Sequence, residues 1–222
     1  SFIFFKMKKI KSLMNLSVKF FLLQVSSLVT YSLSNFLILH YLAASDVTNY
    51  NVSYKYFSVI LILNNIICMP LWSAFTEAYV KKDFIWIRNI IKKMLIVFVF
   101  WILVGGIMLI GSNTIYGLWT GMELNIPYSL SAVVYLFMLT CCWNGIFIAF
   151  INGIGKIQLQ VLLSILPILL MLPLSKLLIS VFHFGVTGIV LCMLLFNIIS
   201  SLMISIQVWK ILRGTDRGIW AK

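Results

Sequence analysis

The stretch YKYFSVILILNNIICMPLWSAFTEAYVKKDFIWIRNIIKK, Tyr54–Lys93, decides the fold. It is an apolar run with a polar stripe, one proline near its far end and a basic close. With Lys55 as zero on an α-helix and 100° per residue, Ser58, Asn65, Trp72, Ser73 and Thr76 fall within about 100° of arc on Lys55's side. Asn64 lands on the opposite side. The run Tyr56–Phe75 is about 20 residues, enough to cross a bilayer. Lipid gives a helix no reason to carry a polar stripe, so that face is expected to look at protein or a watery cavity. Pro70 removes a backbone donor and predicts a bend near the end of the span.

The rest of the chain has the same character. Of its 222 residues 62% are hydrophobic and 10% charged, with a mean hydropathy of +1.08. Soluble domains average roughly 45–50% apolar and 25% charged, so the composition is that of a polytopic membrane protein. The net charge of +12 would suggest nucleic acid in a soluble chain. Here the cations sit between or beyond apolar runs, which is the topogenic pattern of membrane proteins, and no nucleic-acid partner is expected. Cys68, Cys141, Cys142 and Cys192 lie inside apolar runs without metal-ligand spacing and read as small buried hydrophobes.

Six spans are expected, at about 18–44, 56–75, 94–111, 128–151, 157–178 and 186–209. Residues 1–17, with Lys6, Lys8, Lys9 and Lys11, read as a basic lead-in, and 210–222 as a basic tail. The opening SFIFF resembles the end of a preceding span, so a C-terminal fragment is expected. On the first span Gln24, Ser27, Tyr31, Ser34 and Asn35 share one face, which fits either helix–helix bridging or a cavity lining. His40 points away and reads as interfacial.

Ser45–Ser53 reads as a short polar loop with Asp46, and Tyr79–Lys93 as an amphipathic surface helix with Phe84, Ile87, Ile90 and Ile91 toward lipid. Ser112–Pro127 reads as an outer loop whose Tyr116, Trp119 and Tyr128 form an aromatic belt, with Glu123 its only charge. Gly145, Ala149 and Gly153 form a small-residue seam, with Asn144 beside it as a bridge. Pro167 and Pro173 predict a bent or broken fifth span. With both termini inside, only Lys55 and Lys176 of the 17 basic residues lie outside, which sets the expected orientation.

Catalytic signatures are missing. The sequence has no G-x-S-x-G, H-E-x-x-H, phosphate-binding loop or dinucleotide fingerprint, and its five acidic residues suggest no catalytic pair. No enzyme activity, cofactor or metal is expected.

At PLWSAFTEAYVKKDFIWIR (Pro70–Arg88) the sequence resembles the Wzx-type polysaccharide flippases, relatives of the MATE drug exporters and lipid II flippases. KFFLLQ (Lys19–Gln24), VTNYNVSYKYF (Val47–Phe57), YGLWTG (Tyr116–Gly121) and FINGIGKIQLQ (Phe150–Gln160) agree in order and spacing. The resemblance covers almost the whole chain from about Lys19 and implies an all-α, six-helix lobe, the C-terminal half of a two-lobe transporter. It implies transport of an undecaprenyl-diphosphate-linked oligosaccharide across the bacterial inner membrane. The partners implied are that lipid-linked glycan, membrane lipids, and an N-terminal lobe or second copy.

The resemblance and the polar faces together nominate Lys55, Gln24, Asn35, Asn65 and Trp72 as substrate-binding, and Glu77, Asp83 and Arg88 as gate or coupling residues. Two other readings stand beside it. A MATE-like small-molecule exporter half would want buried carboxylates, which the spans lack at their centres. A truncated, non-transporting scaffold would leave the polar stripes unexplained.

Overall fold

The computed structural model describes residues 2–121 and 124–221, with side chains for residue 10 and from residue 14 onward. Glu123, the side chains of Lys6, Lys8, Lys9 and Lys11, and Lys222 therefore lie outside the described residues. Seven α-helices and one short 3-10 turn, Gly218–Ala221, make up the fold among those residues. In chain order the helices are α1 (Phe2–Tyr41), α2 (Ala44–Val80), α3 (Phe84–Ile110), α4 (Ser112–Thr120), α5 (Tyr128–Ile154), α6 (Gln158–Ser180) and α7 (Gly185–Leu212). All but α4 are long and apolar enough to cross a membrane, with the α1 candidate span beginning at Met14. The protein is an all-α, multi-pass membrane protein.

The centre of the bundle is α5, the most enclosed of the six, which packs most extensively on α2 and α7. Its seam explains the first contact. A Cβ built on Gly153 would lie 2.7 Å from the Trp72 carbonyl oxygen, so α2 and α5 touch backbone to backbone there. Thr76 Oγ1 donates to the Gly153 carbonyl at 2.7 Å across the same contact. Asn64, which pointed away from the polar stripe, is fully buried in the core. Its Oδ1 accepts from Trp101 Nε1 at 3.1 Å and its Nδ2 donates to the Cys142 carbonyl at 3.5 Å, joining α2, α3 and α5.

The structure corrects several expectations at the helix ends. Ser45–Ser53 is not a loop: α2 starts at Ala44, and the Asp46 carboxylate accepts from the Ala43 N–H at 3.2 Å at its N-terminus. Tyr50, Ser53 and Phe57 are buried, and packing holds the helix through this polar stretch. The first helix starts at Phe2, so the basic lead-in runs into the first span as one helix.

No separate surface helix spans Tyr79–Lys93. After α2 ends, Lys82 turns the chain at φ 59° and Asp83 caps α3, accepting from Trp86 N–H at 2.9 Å. The helix then runs unbroken to Ile110, with Ile87 and Ile91 buried in the core rather than facing lipid. Part of the expected outer loop is α4, and Tyr116 is buried rather than interfacial. Its hydroxyl lies 3.2 Å from Ser53 Oγ and 3.0 Å from Ser131 Oγ. Trp119 and Tyr128 are exposed, as a belt requires. Despite Pro167 and Pro173, α6 is one continuous helix.

One end of the bundle gathers the α2–α3 turn, the α5–α6 turn and the C-terminal segment. Lys156 Nζ lies 2.7 Å from Asp216 Oδ2, and Gln207 Nε2 donates to the carbonyls of Lys156 and Trp220 at 3.1 and 3.2 Å. Arg88 Nη2 donates to the Leu212 carbonyl at 2.7 Å. This is the basic end. The opposite end carries the α1–α2 connection, α4 and the α6–α7 turn.

Candidate functional site

Two features stand out: a cavity of mixed polar and apolar lining within the bundle and a polar stripe on its outer face. The cavity, of about 340 Å³, lies among α1, α5, α6 and α7, with Tyr54 of α2 at its edge. Its aromatic wall is Tyr31, Tyr54, Phe137 and Phe196. Ser26, Ser27 and Thr30 come from α1, Asn144 from α5, Gln160 and Ser164 from α6, and Asn197 and Ser200 from α7. No carboxylate, lysine, arginine or histidine lines it.

Hydrogen-bond bookkeeping gives this cavity a definite chemistry. The hydroxyls of Ser27, Thr30 and Ser164 donate to the carbonyls of Gln24, Ser26 and Val161, each at 2.8 Å, as hydroxyls in helices tend to do. Asn144 Nδ2 donates to Ser200 Oγ at 3.2 Å, and Asn197 Nδ2 to Cys141 Sγ at 3.0 Å. Gln160 Nε2 and the Tyr54 hydroxyl donate to no partner among the described residues, so the lining keeps donors of its own. Asn144 Oδ1 and Gln160 Oε1 are left buried and without partners. Pro167 offers no N–H to the Leu163 carbonyl one turn earlier, and both residues line the cavity. The walls therefore mix amide and hydroxyl groups, aromatic faces and aliphatic side chains, and carry no charge. Such a surface suits an uncharged group that both donates and accepts hydrogen bonds.

The nominated residues are placed elsewhere. None of Lys55, Gln24, Asn35, Asn65 and Trp72 lines the polar cavity. Lys55 sits in a separate depression of about 390 Å³ with Asn51, Trp119 and Thr120, between the start of α2 and α4. Gln24 and Asn65 are exposed, and Trp72 is 39% exposed with its ring 5.4 Å from that of Phe20 on α1. At 1.5 Å per residue, Lys55 and Trp72 stand about 25 Å apart along α2, so the stripe is a track and not a compact pocket.

Asn35 is taken up by a bridge between α1 and α2. Asn51 Nδ2 donates to Asn35 Oδ1 at 2.9 Å, and Tyr31 OH donates to Asn51 Oδ1 at 2.9 Å.

The three gate nominees have structural partners at the basic end. Glu77 pairs with Lys81 on the exposed last turn of α2, and hydrogen bonding to Glu77 holds the Lys81 ammonium above its ordinary pKa. Asp83 is the N-cap of α3, and Arg88 ties α3 to the last carbonyl of α7. Lys156, near them, is pulled down by burial, but its bonds to Asp216 and Tyr79 outweigh this and leave it above the usual lysine value.

Comparisons with family models, with curated proteins and with solved structures find no match for this chain. The sequence pointed to Tyr31, Ser27, Asn144 and Gln160 as notable polar residues. It did not point to Ser164, Asn197 or Ser200, single polar residues on spans with no evident polar face.

Proposed function

We propose that the chain is the six-helix half of a membrane flippase that moves an undecaprenyl-diphosphate-linked oligosaccharide across the bacterial inner membrane. The observation carrying this reading is the exposure of Asn65, whose side-chain amide has no partner among the described residues, on the same run of α2 as the apolar core of its span. Facing hydrocarbon, that unsatisfied amide would cost several kcal/mol. A partner half, either an N-terminal lobe or a second copy, and the solute between them remove that cost.

Chemistry at two places supports the glycan over other solutes. A sugar combines hydroxyls that donate and accept hydrogen bonds with apolar ring faces, which suits an uncharged cavity of amides, hydroxyls and aromatic walls. The diphosphate is an anion, and Lys55 stands at the far end of the track, at the end of the bundle with few cations. An exporter of small cations is less well served, because no carboxylate lines the cavity or the α2 track between Lys55 and Thr76. The positive-inside pattern puts both termini in the cytoplasm. No step of bond making or breaking is invoked.

The test is complementation of a flippase-deficient strain by the assembled transporter, this chain together with an N-terminal lobe or a second copy. Lys55→Ala is expected to abolish it and Lys55→Arg to retain most of it, with membrane levels unchanged in both. Full complementation by Lys55→Ala at matched expression overturns the role of Lys55, and failure of the unmutated protein to complement overturns the function.

A further inference from the structure

We infer that the corner between α3 and α7 at the basic end binds the headgroup of an anionic phospholipid. This goes beyond the transport reading and rests only on the chain's being a membrane protein. Two stripes meet there. On α3, Arg88, Lys92, Ile96 and Leu103 are exposed, and the first three follow at four-residue spacing, which puts them on one face. On α7 and just beyond it, Arg213, Trp209, Ile206 and Leu202 are exposed at spacings of three and four. Each stripe is cationic at the basic end and apolar along the span. The Arg88–Leu212 hydrogen bond of 2.7 Å brings the two cationic tips together, and Ile87, Ile91, Val208 and Ile211 share one core cluster beneath them.

The cations have no internal counter-charge. Every carboxylate at this end is engaged elsewhere: Glu77 with Lys81, Asp83 at the α3 N-terminus, Asp216 with Lys156. Among the described residues Arg88, Lys92, Lys93 and Arg213 form no ion pair. Arg88 and Lys92, one turn apart, repel each other.

Both guanidiniums are nevertheless held in place. Arg88 is held by the Leu212 carbonyl, and Arg213 lies 3.8 Å from the centre of the Trp209 ring. Two oriented guanidiniums and an ammonium suit a phosphodiester, with bidentate contacts from the arginines. An exposed interfacial Trp209 and the apolar stripes below suit glycerol and acyl chains. A soluble phosphate compound would leave those stripes unused.

The experiment is native mass spectrometry of the full chain from mixed micelles of phosphatidylglycerol and phosphatidylcholine with the same acyl chains. Wild type is expected to retain phosphatidylglycerol preferentially. Each neutralisation, Arg88→Gln, Lys92→Gln or Arg213→Gln, should lower that preference about fivefold, as for a basic residue at an anionic surface. Arg213→Lys should keep most of the preference, and Lys176→Gln, a cation at the opposite end, all of it. Excess inorganic phosphate should leave the retained lipid in place.

An unchanged preference in Arg213→Gln, whose exposed side chain stacks on exposed Trp209, overturns the proposal even if Arg88→Gln does not fold. An equal loss in Lys176→Gln, or displacement of the lipid by phosphate, overturns it too.

Discussion

Two glycines on the same seam of α5 should respond very differently to one added methyl group. In Gly153→Ala the new Cβ would lie 2.7 Å from the Trp72 carbonyl oxygen and 3.2 Å from Thr76 Oγ1. The first of these is about 0.7 Å short of ordinary contact, and its partner is helix backbone that cannot turn aside. The helices must part, at a cost of about 1–3 kcal/mol for overpacking. Parting also stretches the Thr76–Gly153 hydrogen bond, worth about 0.5–1.5 kcal/mol. Better helix propensity returns about 1 kcal/mol, so a net loss of about 1–3 kcal/mol remains.

In Gly145→Ala the nearest atom is Asn64 Nδ2 at 3.3 Å, the end of a side chain that can move a few tenths of an ångström, and the change should be close to neutral. Gly145→Leu should not be tolerated. The assay is the melting midpoint of the detergent-solubilised protein followed by fluorescence-detected gel filtration. Gly153→Ala should lower the midpoint by several degrees and Gly145→Ala by little. Equal midpoints for the two alanine variants would refute the backbone contact between α2 and α5.

Other outcomes follow from single contacts. Asn64→Leu strands the Trp101 N–H in the core and should cost about 1–3 kcal/mol in the same assay, with Trp101→Phe rescuing part of the loss. Asp216→Asn removes the partner of Lys156 and should make the chain more readily cut after Arg217 by trypsin. Because the Lys156 pKa is raised, its bridge contributes fully below the ordinary lysine value and is lost only as pH rises past the raised one. Protection from trypsin in the wild type should therefore be constant from neutral to mildly alkaline pH. For topology, a cysteine at exposed Asn113 should react with an impermeant thiol reagent from outside and one at Lys82 should not. Buried Ser112 is unsuitable as a probe.

Which parts of this were legible in the sequence follows from how far each interaction reaches. The six apolar runs and the seam of Gly145, Ala149 and Gly153 are local patterns, and they were readable. So was the oddity of Asn64, although its partners Trp101 and Cys142 come from two other helices and no periodicity names them. Helix ends were misread wherever polar residues fold beside the membrane. At 45–53 the polar run suggested a loop, but Tyr50, Ser53 and Phe57 supply a buried face. At Tyr116 an aromatic near a span end suggested a belt, but two serines from α2 and α5 take its hydroxyl inward. The cavity was least legible, since each helix gives it only one to five residues.

The proposed transport requires a lipid-linked glycan to travel along the polar face of α2. A photoactivatable undecaprenyl-diphosphate oligosaccharide, cross-linked in native membranes and mapped by mass spectrometry, tests it most directly. The account predicts adducts concentrated between Lys55 and Thr76 of α2 and on the walls of the α1–α5–α6–α7 cavity, competed by unlabelled lipid-linked glycan. Adducts spread evenly over the lipid-facing residues Ile96, Leu103 and Ile107 of α3, or labelling no greater than with a phosphatidylcholine probe, would contradict it.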